Sequence, residues 1–370
     1  HATKPATFNL NPLRNRQKKT NAISKTWGAM IMALLVLFAA SCSNDDEAFV
    51  QGPTFLDLPT NDLFPEGILE SASGDLYVTG FGNATITGTG NGSILRITNG
   101  ETIEFFKNPA EDGLSSAVGM AIDEARNRLW VANFDFATFN SNMKVFDLNS
   151  GNLLATLTPP TGGHFFNEVA IDESGRVYIS DTTTPTIWTA DADLDSVYVF
   201  AQDDLLSNPD PNRPFGQNGL AITADGDYLI ASIMDRIDQG DGRLVRIDIS
   251  SRSVSEVTLT GDATTIAQFG GSDGMFFEPT GLLMMVNVTP PSSIVTAEFN
   301  ADFSSASLVS RTTFELVYNR PTASAILNGR LWTVNSQLDH VIDDENGAVG
   351  TPADIPFQLV NVSLNETLGR

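Results

Sequence analysis

Beyond residue 50, the chain alternates short apolar runs with clusters of Gly, Asp, Asn, Ser and Pro. The stretch "QNGLAITADGDYLIA", residues 217–231, shows the unit: a turn dipeptide, an apolar run, a polar turn and a second apolar run. Short apolar runs bounded by turn residues predict β-strands joined as hairpins. No long amphipathic helical pattern appears in this part of the chain, so the pattern predicts an all-β fold.

This unit recurs six times, with a period of about 50 residues. The copies are "EGILESASGDLYVTG" from Glu66, "VGMAIDEARNRLWVAN" from Val118, "NEVAIDESGRVYISD" from Asn167, "NGLAITADGDYLIAS" from Asn218, "DGMFFEPTGLLMMVN" from Asp273 and the weaker "TASAILNGRLWTVN" from Thr322. A second pair of apolar runs usually follows, such as "SILRIT" at 93–98. Four short antiparallel strands repeated six times predict a six-bladed β-propeller, in which the first strand of each blade lines a central channel.

A propeller must close its ring, because an open edge between the first and last blades would invite aggregation. Two segments compete to complete blade six. One is "PTFLDLP" at 53–59, which precedes blade one, and the other is the C-terminal "IPFQLVNVSL" at 355–364. The sequence leaves this choice open.

The first residue of each copy lies where an innermost strand begins, so we expect all six at one end of the channel. They are Glu66, Val118, Asn167, Asn218, Asp273 and Thr322. Four of them carry a carboxylate or carboxamide oxygen, a donor set that suits a hard divalent cation, above all Ca²⁺, with Mg²⁺ or Mn²⁺ as substitutes. These positions offer no thiolate or imidazole, which disfavours zinc.

The alternative is that these polar residues only form turns, because Asn-Gly and Asp-Gly are common turn dipeptides. A turn requirement does not explain why the four polar residues fall at one phase of the repeat, in the order Glu, Asn, Asn, Asp. We therefore predict that the four side chains converge on one metal ion. They are Glu66, Asn167, Asn218 and Asp273.

The overall charge excludes one class of partner. The chain holds 21 Lys and Arg against 45 Asp and Glu, a formal net charge of −24. Such a surface repels phosphate backbones, which argues against nucleic acid as a partner. We expect a small-molecule substrate and a monomeric propeller.

The N-terminal segment has the form of an export signal. Basic residues precede the apolar run "MIMALLVLFAA" at 30–40, which is too short to span a bilayer as a helix. Cys42, the single cysteine, follows "AAS" and resembles the lipidated residue of a lipoprotein box. The alternative is an ordinary cleaved signal with a stray thiol. The chain begins with His1 rather than Met, so we expect the true start upstream.

These features divide the chain into three parts. We predict a removed signal peptide at 1–41, a lipidated acidic tether at 42–52 and the propeller at 53–370. Lipidation would anchor the domain to a membrane without a spanning helix. The expected location is the outer membrane, on its periplasmic face or at the cell surface, where the acidic run "SNDDEAF" resembles a surface-export tag.

The repeat starts resemble those of the senescence marker protein (SMP-30), gluconolactonase and luciferin-regenerating enzyme family. The resemblance covers about residues 60–340 and rests on "PEG", "NEVAIDESGRVYISD", "QNGLAIT" and "GGSDGMFFEPTGLLMMVN". It implies that the four polar residues hold a catalytic Ca²⁺ or another divalent ion in the channel. It also implies hydrolysis of a lactone or related ester, with Asp273 as base, nucleophile or water-orienting residue.

This chain differs from relatives of the family in two ways, and each difference removes one expectation. Diisopropyl fluorophosphatase, a relative of this family, has a further Asp that helps to hold a second calcium ion where this chain has Phe276, so we predict no second metal. The arginines that contact sugar in the gluconolactonase branch have no counterpart here, so aldonolactone specificity does not carry over.

His164 lies three residues before Asn167, on the approach to the channel, and is a candidate proton shuttle; the alternative is a loop histidine without a role. Aromatic residues near the channel-facing loops form a pocket wall or pack between blades. They are Phe134, Phe136, Phe165, Phe166 and Phe215. Two other functions stay open: a non-catalytic surface propeller that binds a ligand or protein around a structural calcium ion, and a phosphotriesterase-like hydrolase.

Overall fold

The computed structural model describes residues 52–83, 90–208, 215–234, 243–288, 291–313, 317–341 and 351–368. The strands are β1 (Thr54–Asp57), β2 (Pro65–Glu70), β3 (Leu76–Gly80), β4 (Ser93–Thr98), β5 (Thr102–Lys107), β6 (Ser116–Asp123), β7 (Arg128–Asp135), β8 (Asn140–Asp147), β9 (Leu153–Leu157), β10 (Phe166–Ile171), β11 (Val177–Asp181), β12 (Thr186–Ala190), β13 (Val197–Gln202), β14 (Gln217–Ile222), β15 (Tyr228–Ile233), β16 (Arg243–Asp248), β17 (Val254–Glu256), β18 (Thr258–Thr260), β19 (Ser272–Phe277), β20 (Leu283–Asn287), β21 (Ser293–Phe299), β22 (Ser305–Thr313), β23 (Pro321–Leu327), β24 (Arg330–Asn335) and β25 (Gln358–Ser363).

Helices are few and short. The described segments contain two α-helices, α1 (Ala263–Ala267) and α2 (Leu364–Thr367), and 3₁₀ turns at Glu111–Gly113, Glu124–Arg126, Asp204–Leu206 and Leu338–His340. Within the described residues, no helix has the length and apolar character needed to cross a membrane.

The strands form six separate sheets, one for each sequence repeat, and the four strands of each blade pair antiparallel. The first four blades are β2 to β5, β6 to β9, β10 to β13 and β14 to β17, each in chain order from the centre outward. Blade five is β19 to β22, and β18 adds a fifth, outer strand that pairs parallel with β22. The prediction of an all-β, six-bladed propeller is confirmed.

Blade six is completed by both ends of the domain. Its order is β23, β24, β25 and β1, so the C-terminal strand supplies the third position and the segment before blade one supplies the fourth. The two competing segments therefore both take part. Because strands from both ends of the domain pair in one sheet, blade six joins the first blade to the last without leaving an open gap.

The innermost strands form a closed ring around the channel. Each of β2, β6, β10, β14, β19 and β23 contacts the next, and β23 contacts β2. Apolar side chains from neighbouring blades pack between the sheets, with Trp130, Phe134 and Phe166 among the fully buried ones. This burial supplies the main driving force that holds the blades together.

Candidate functional site

Every innermost strand carries a β-bulge at the position where its sequence repeat begins. In blade one, Pro65 pairs with Gly80 and Ile68 with Val78, so the two residues between them lie opposite a single residue of β3. The same register shift occurs in the other five blades. The bulge pairs are Glu66-Gly67, Val118-Gly119, Asn167-Glu168, Asn218-Gly219, Asp273-Gly274 and Thr322-Ala323.

Glycine at the second bulge position is explained by close approach of the next blade. A Cβ on Gly219 would come within 3.0 Å of the Asp273 carbonyl oxygen, and one on Gly119 equally close to that of Asn167. Gly67 and Gly274 face the next blade's bulge carbonyl in the same way. The Asn-Gly dipeptide therefore belongs to an interblade contact at a bulge, not to a loop turn.

Side-chain hydroxyl groups connect neighbouring bulges. Ser180 Oγ accepts a hydrogen bond from the Glu168 N–H (2.9 Å) and donates to the Asn218 carbonyl (2.6 Å). Thr79 does the same between blades one and two. The Thr322 hydroxyl donates to the Glu66 carbonyl (2.6 Å) and so links blade six to blade one. These bonds fix the relative positions of the bulges and of the side chains on them.

The four predicted ligands all occupy first bulge positions, and all are buried. Their exposed fractions are 5% for Glu66, 8% for Asn167, 4% for Asn218 and 8% for Asp273. The Asn167 Nδ2 donates to Thr182 Oγ1 (3.0 Å). Because the six strands are adjacent around one channel, the fold brings these four positions to the same level of the ring.

Asn218 lies beside Asp273. Its side chain favours the charged form of the Asp273 carboxylate, and its Nδ2 lies 3.2 Å from Met234 Sδ. The Asn218 Oδ1 is buried and has no hydrogen-bond partner within the described part of the chain. A buried carbonyl oxygen without a partner costs free energy, so this atom fits a cation ligand.

Three carboxylates repel one another at this level. Burial raises the pKa of Asp273 to about 8, with the negative charge of Glu168 adding to the shift and hydrogen bonds from Asn218 and the Gly274 N–H opposing it. Burial, then Asp273, then Glu168 raise the pKa of Glu66 well above its usual range. Burial raises the pKa of Glu168 to about 7. A positive ion placed among these groups would stabilise their charged forms and so lower their pKa values.

The donor set fits a hard cation. No group of three or more His, Cys, Asp and Glu side chains suited to a metal ion occurs in the described ranges. The four predicted ligands include two carboxylates, and amide oxygens of Asn167 and Asn218 supply the other two donors. Two buried carboxylates and two amide oxygens, of which the Asn218 oxygen has no hydrogen-bond partner in the described part of the chain, suit Ca²⁺, which prefers oxygen ligands, better than zinc, which prefers nitrogen and sulfur.

Residues 82–278 match the family described as the SMP-30/Gluconolactonase/LRE-like region. The chain belongs to this family. The match covers the strands that carry three of the four predicted ligands, those of blades three to five. No curated protein matches the sequence significantly.

Several solved structures share the fold of this SMP-30/gluconolactonase-like chain. The allergen Mala s 1 of Malassezia sympodialis superposes with a TM-score of 0.63 at 18% identity, over 85% of this chain and 96% of that one. A luciferin-regenerating enzyme gives 0.56 at 12% identity, over 84% and 95%. A gluconolactonase from Xanthomonas campestris gives 0.53 at 13% identity, over 85% and 90%. These likenesses show the propeller fold.

Glu168 is a site residue that the sequence analysis missed. It stands where the other blades have Gly or Ala, and its half-buried carboxylate Oε1 accepts the Val169 N–H (3.1 Å). The signal was present in the repeat, because Glu168 is the one charged residue at the second bulge position. It places a third carboxylate in this family member's channel.

A cavity of about 560 Å³ occupies the channel beyond the bulges. Gly67, Glu168 and Gly274 bound it on the side of the predicted ligands, and Glu70 and Glu124 lie among the lining residues of the strand ends and turns. Most of its other lining side chains are apolar, and its lining includes no Lys or Arg. The channel is thus acidic at the bulges and apolar along its walls.

His164 lies in a buried network on the approach to blade three. Its Nδ1 is 2.7 Å from Asp181 Oδ2, and its Nε2 is 2.8 Å from Thr161 Oγ1. Asp181 also accepts hydrogen bonds from the backbone and side chains of the following loop and from Trp188 Nε1. Within the described residues, no hydrogen bond joins His164 to the four predicted ligands.

Other predicted features have different outcomes. Phe134, Phe165 and Phe166 are buried, whereas Phe136 and Phe215 are partly buried against the same core. Cys42, the signal peptide and nearly all of the tether lie outside the described residues.

Proposed function

We propose that this family member is a metal-dependent hydrolase that opens a lactone or related ester at the end of its channel where the innermost strands begin. Glu66, Asn167, Asn218 and Asp273 hold the ion, with Ca²⁺ as the preferred one. The observation that carries the proposal is the unpartnered, buried Asn218 Oδ1 beside the buried Asp273 carboxylate. This pair has the composition of an incomplete cation site.

A bound divalent cation would supply a Lewis acid for the substrate carbonyl and for negative charge that develops on its oxygen. Asp273 is the candidate to orient or deprotonate water, because it is a buried carboxylate at the proposed ion site. In the absence of a cation this carboxylate holds a proton at neutral pH, since its pKa is about 8.

His164 is the candidate group for moving a proton away from the site. The Asp181 carboxylate fixes the ring through Nδ1, so Nε2 is the atom left to exchange a proton with the Thr161 hydroxyl. A His164→Gln variant that keeps full activity would exclude this role.

The test is hydrolysis of a panel of lactones and aryl esters by the purified protein, with Ca²⁺ or with chelator. We expect turnover of at least one lactone, its loss with chelator, and its recovery on adding Ca²⁺. Asp273→Asn should lower kcat/KM by about 100-fold or more, in the range seen when a charge-stabilising catalytic group is removed. Turnover that is unaffected by chelator and by this substitution would contradict the proposal.

One observation favours a second function, a non-catalytic propeller that binds a ligand or protein around a structural calcium ion. The four ligands are at most 8% exposed, which leaves a substrate little access to the ion. In that case Asp273→Asn should abolish the stabilisation by Ca²⁺ while no member of the panel is hydrolysed by the wild type.

We also propose that Cys42 carries the lipid anchor of an outer-membrane protein, because it follows an apolar export segment. Mass spectrometry of the mature N-terminus should show a lipidated cysteine. A free thiol, or release of the unmodified wild-type protein as a soluble secreted chain, would contradict this.

A further inference from the structure

An aromatic cluster lies at the same end of the propeller as the predicted ligands. Its members are Phe81, Phe134, Phe136, Phe139 and Phe165. Phe134 at the end of β7 pairs with Ser116 at the start of β6, so the loop after β7 leaves the sheet at the end where the innermost strands begin. The cluster therefore lies at the end of the propeller where the innermost strands begin, on the side of blades one to three.

The cluster connects the neighbourhoods of two predicted ligands. Phe136 makes edge contacts with Phe81 (ring centroids 5.4 Å apart) and with Phe134 (4.6 Å). Phe134 stacks on Phe165 at 4.3 Å. Phe81 directly follows β3, in which Gly80 pairs with Pro65, the residue before Glu66. Phe165 precedes Asn167 by two residues.

Phe139 is the member whose position the fold does not explain. Its backbone has φ of 52°, a conformation that is costly for a bulky side chain, and its residue is 49% exposed. Phe64 and Phe303 also have positive φ, but Phe64 is buried and Phe303 packs against the core of blade five, so burial offsets the strain there. Phe139 makes one edge contact with Phe134 (5.2 Å) and leaves half of its surface in water.

The loop that carries Phe139 is held rigidly. The Ala137 N–H and the Thr138 hydroxyl donate to the two oxygens of Asp135 (3.0 and 2.8 Å). On the other side, Asn140 Oδ1 accepts the Gly163 N–H (3.2 Å), which ties the loop to the segment that leads to His164. The exposed Phe139 ring, carried on a strained backbone, is thus presented in a fixed place, as a preorganised contact surface.

We infer that Phe136 and Phe139 form a recognition wall for an uncharged apolar group, aromatic or alkyl, attached to the lactone or ester. The wall is aromatic, and the charged residues Asp135, Glu66 and Asp273, which lie at the same end of the propeller, are acidic, so an anionic substituent would be repelled. This inference rests on the proposed function for the identity of the reacting group, but binding of the apolar substituent can be measured without turnover.

The test uses a non-hydrolysable γ-butyrolactam that bears a phenylalkyl group, beside the unsubstituted lactam, both titrated into the Ca²⁺-loaded protein by calorimetry. The key variant is Phe139→Asn, because asparagine accepts positive φ and so keeps the loop conformation. The matched control is Phe55→Asn, since Phe55 is 50% exposed on β1, the outermost strand of blade six.

We expect the wild type to bind the substituted lactam more tightly than the plain one, and Phe139→Asn to weaken the substituted lactam about 10-fold, the loss of one exposed aromatic contact. The plain lactam and the Phe55→Asn protein should show no change. Phe139→Leu should keep most of the preference.

The inference is overturned if the wild type does not prefer the substituted lactam, or if Phe139→Asn and Phe55→Asn have equal effects. If only the proposed function is wrong, the preference for the substituted lactam will still depend on Phe139, but no lactone will be hydrolysed.

Discussion

Blades two and three have the same innermost backbone but carry different chemistry. Each has a β-bulge at the start of its repeat. In blade two the bulge holds Val118 and Gly119, whereas in blade three it holds Asn167 and Glu168, with the Ser180 hydroxyl bonded behind it. The bulge is therefore part of the architecture of every blade, and the side chains placed on it decide which blades can contribute to a site.

The largest effect is expected where the shared backbone itself is broken. In Gly219→Ala, the new Cβ would collide with the Asp273 carbonyl of the next blade, so we expect a loss of about 3 kcal/mol in the free energy of unfolding. Urea unfolding monitored by tryptophan fluorescence measures it.

The matched control is Gly226→Ala, at φ of 74° in a turn of the same blade, where a Cβ would meet nothing within 4 Å. Its cost should be only the left-handed backbone penalty of about 1 kcal/mol. Equal losses in the two variants would show that the interblade contact at the bulge does not limit residue size.

The pH dependence of the stability of the metal-free protein reports on the carboxylates at the bulges. The pKa of Asp273 is raised to about 8 and that of Glu168 to about 7, so the folded chain binds more protons than the unfolded chain between about pH 4 and pH 8. Stability in chelator should therefore fall as pH rises through this window.

Ca²⁺ should remove this decline, because the ion binds the charged forms of the carboxylates. Thermal unfolding at pH 5 and pH 8, with chelator and with Ca²⁺, measures both effects. Chelator-treated protein that is more stable at pH 8 than at pH 5 would contradict the charge arrangement described above.

A related change separates metal binding from stability. Asp273→Asn removes one of three mutually repelling carboxylates, so in chelator at pH 8 we expect this variant to be more stable than the wild type by about 1 kcal/mol. In Ca²⁺ the order should reverse. Unfolding curves under the two conditions check this, and a variant less stable than wild type in both would argue that Asp273 has a purely structural role.

The smallest effect concerns the hydroxyl behind the bulge of blade three. Ser180→Ala leaves the buried Glu168 N–H and Asn218 carbonyl without this partner, at an expected cost of about 1 kcal/mol. Ser174→Ala, which removes a hydroxyl in an exposed turn of the same blade, should cost less. If both variants unfold at the same urea concentration, the interblade hydroxyl contributes nothing measurable.

The repeat made the propeller and the phase of its first residues predictable, because each copy sets two apolar runs, joined by a polar turn, at the same spacing from its first residue. The bulges could not be predicted, since a register shift depends on pairing between strands. Glu168 was missed for this reason: only the bulge shows that the second residue also reaches the channel. The shared closure by β1 and β25 likewise depends on long-range pairing that composition does not encode.

The environment of His164 shows a second limit. Its position before Asn167 suggested a role at the channel, but its partners Asp181 and Thr161 come from the end of β11 and the loop before β10. The exposed ring of Phe139 was equally hidden, because positive φ at a phenylalanine leaves no mark in the sequence. Both depend on loop conformation, which the apolar pattern does not specify.

The most direct test of the proposed metal site is a calorimetric titration of the chelator-stripped protein with Ca²⁺. Asn218→Ala and Asp273→Ala are titrated beside the wild type. The bulge control is Thr322→Ser, which keeps the hydroxyl that donates to the Glu66 carbonyl. We predict saturable binding of one ion per chain by the wild type and the control, and a loss in affinity of at least about 100-fold in the other two. No saturable binding by the wild type, or equal binding by all four proteins, would mean that the polar bulge residues do not form a metal site.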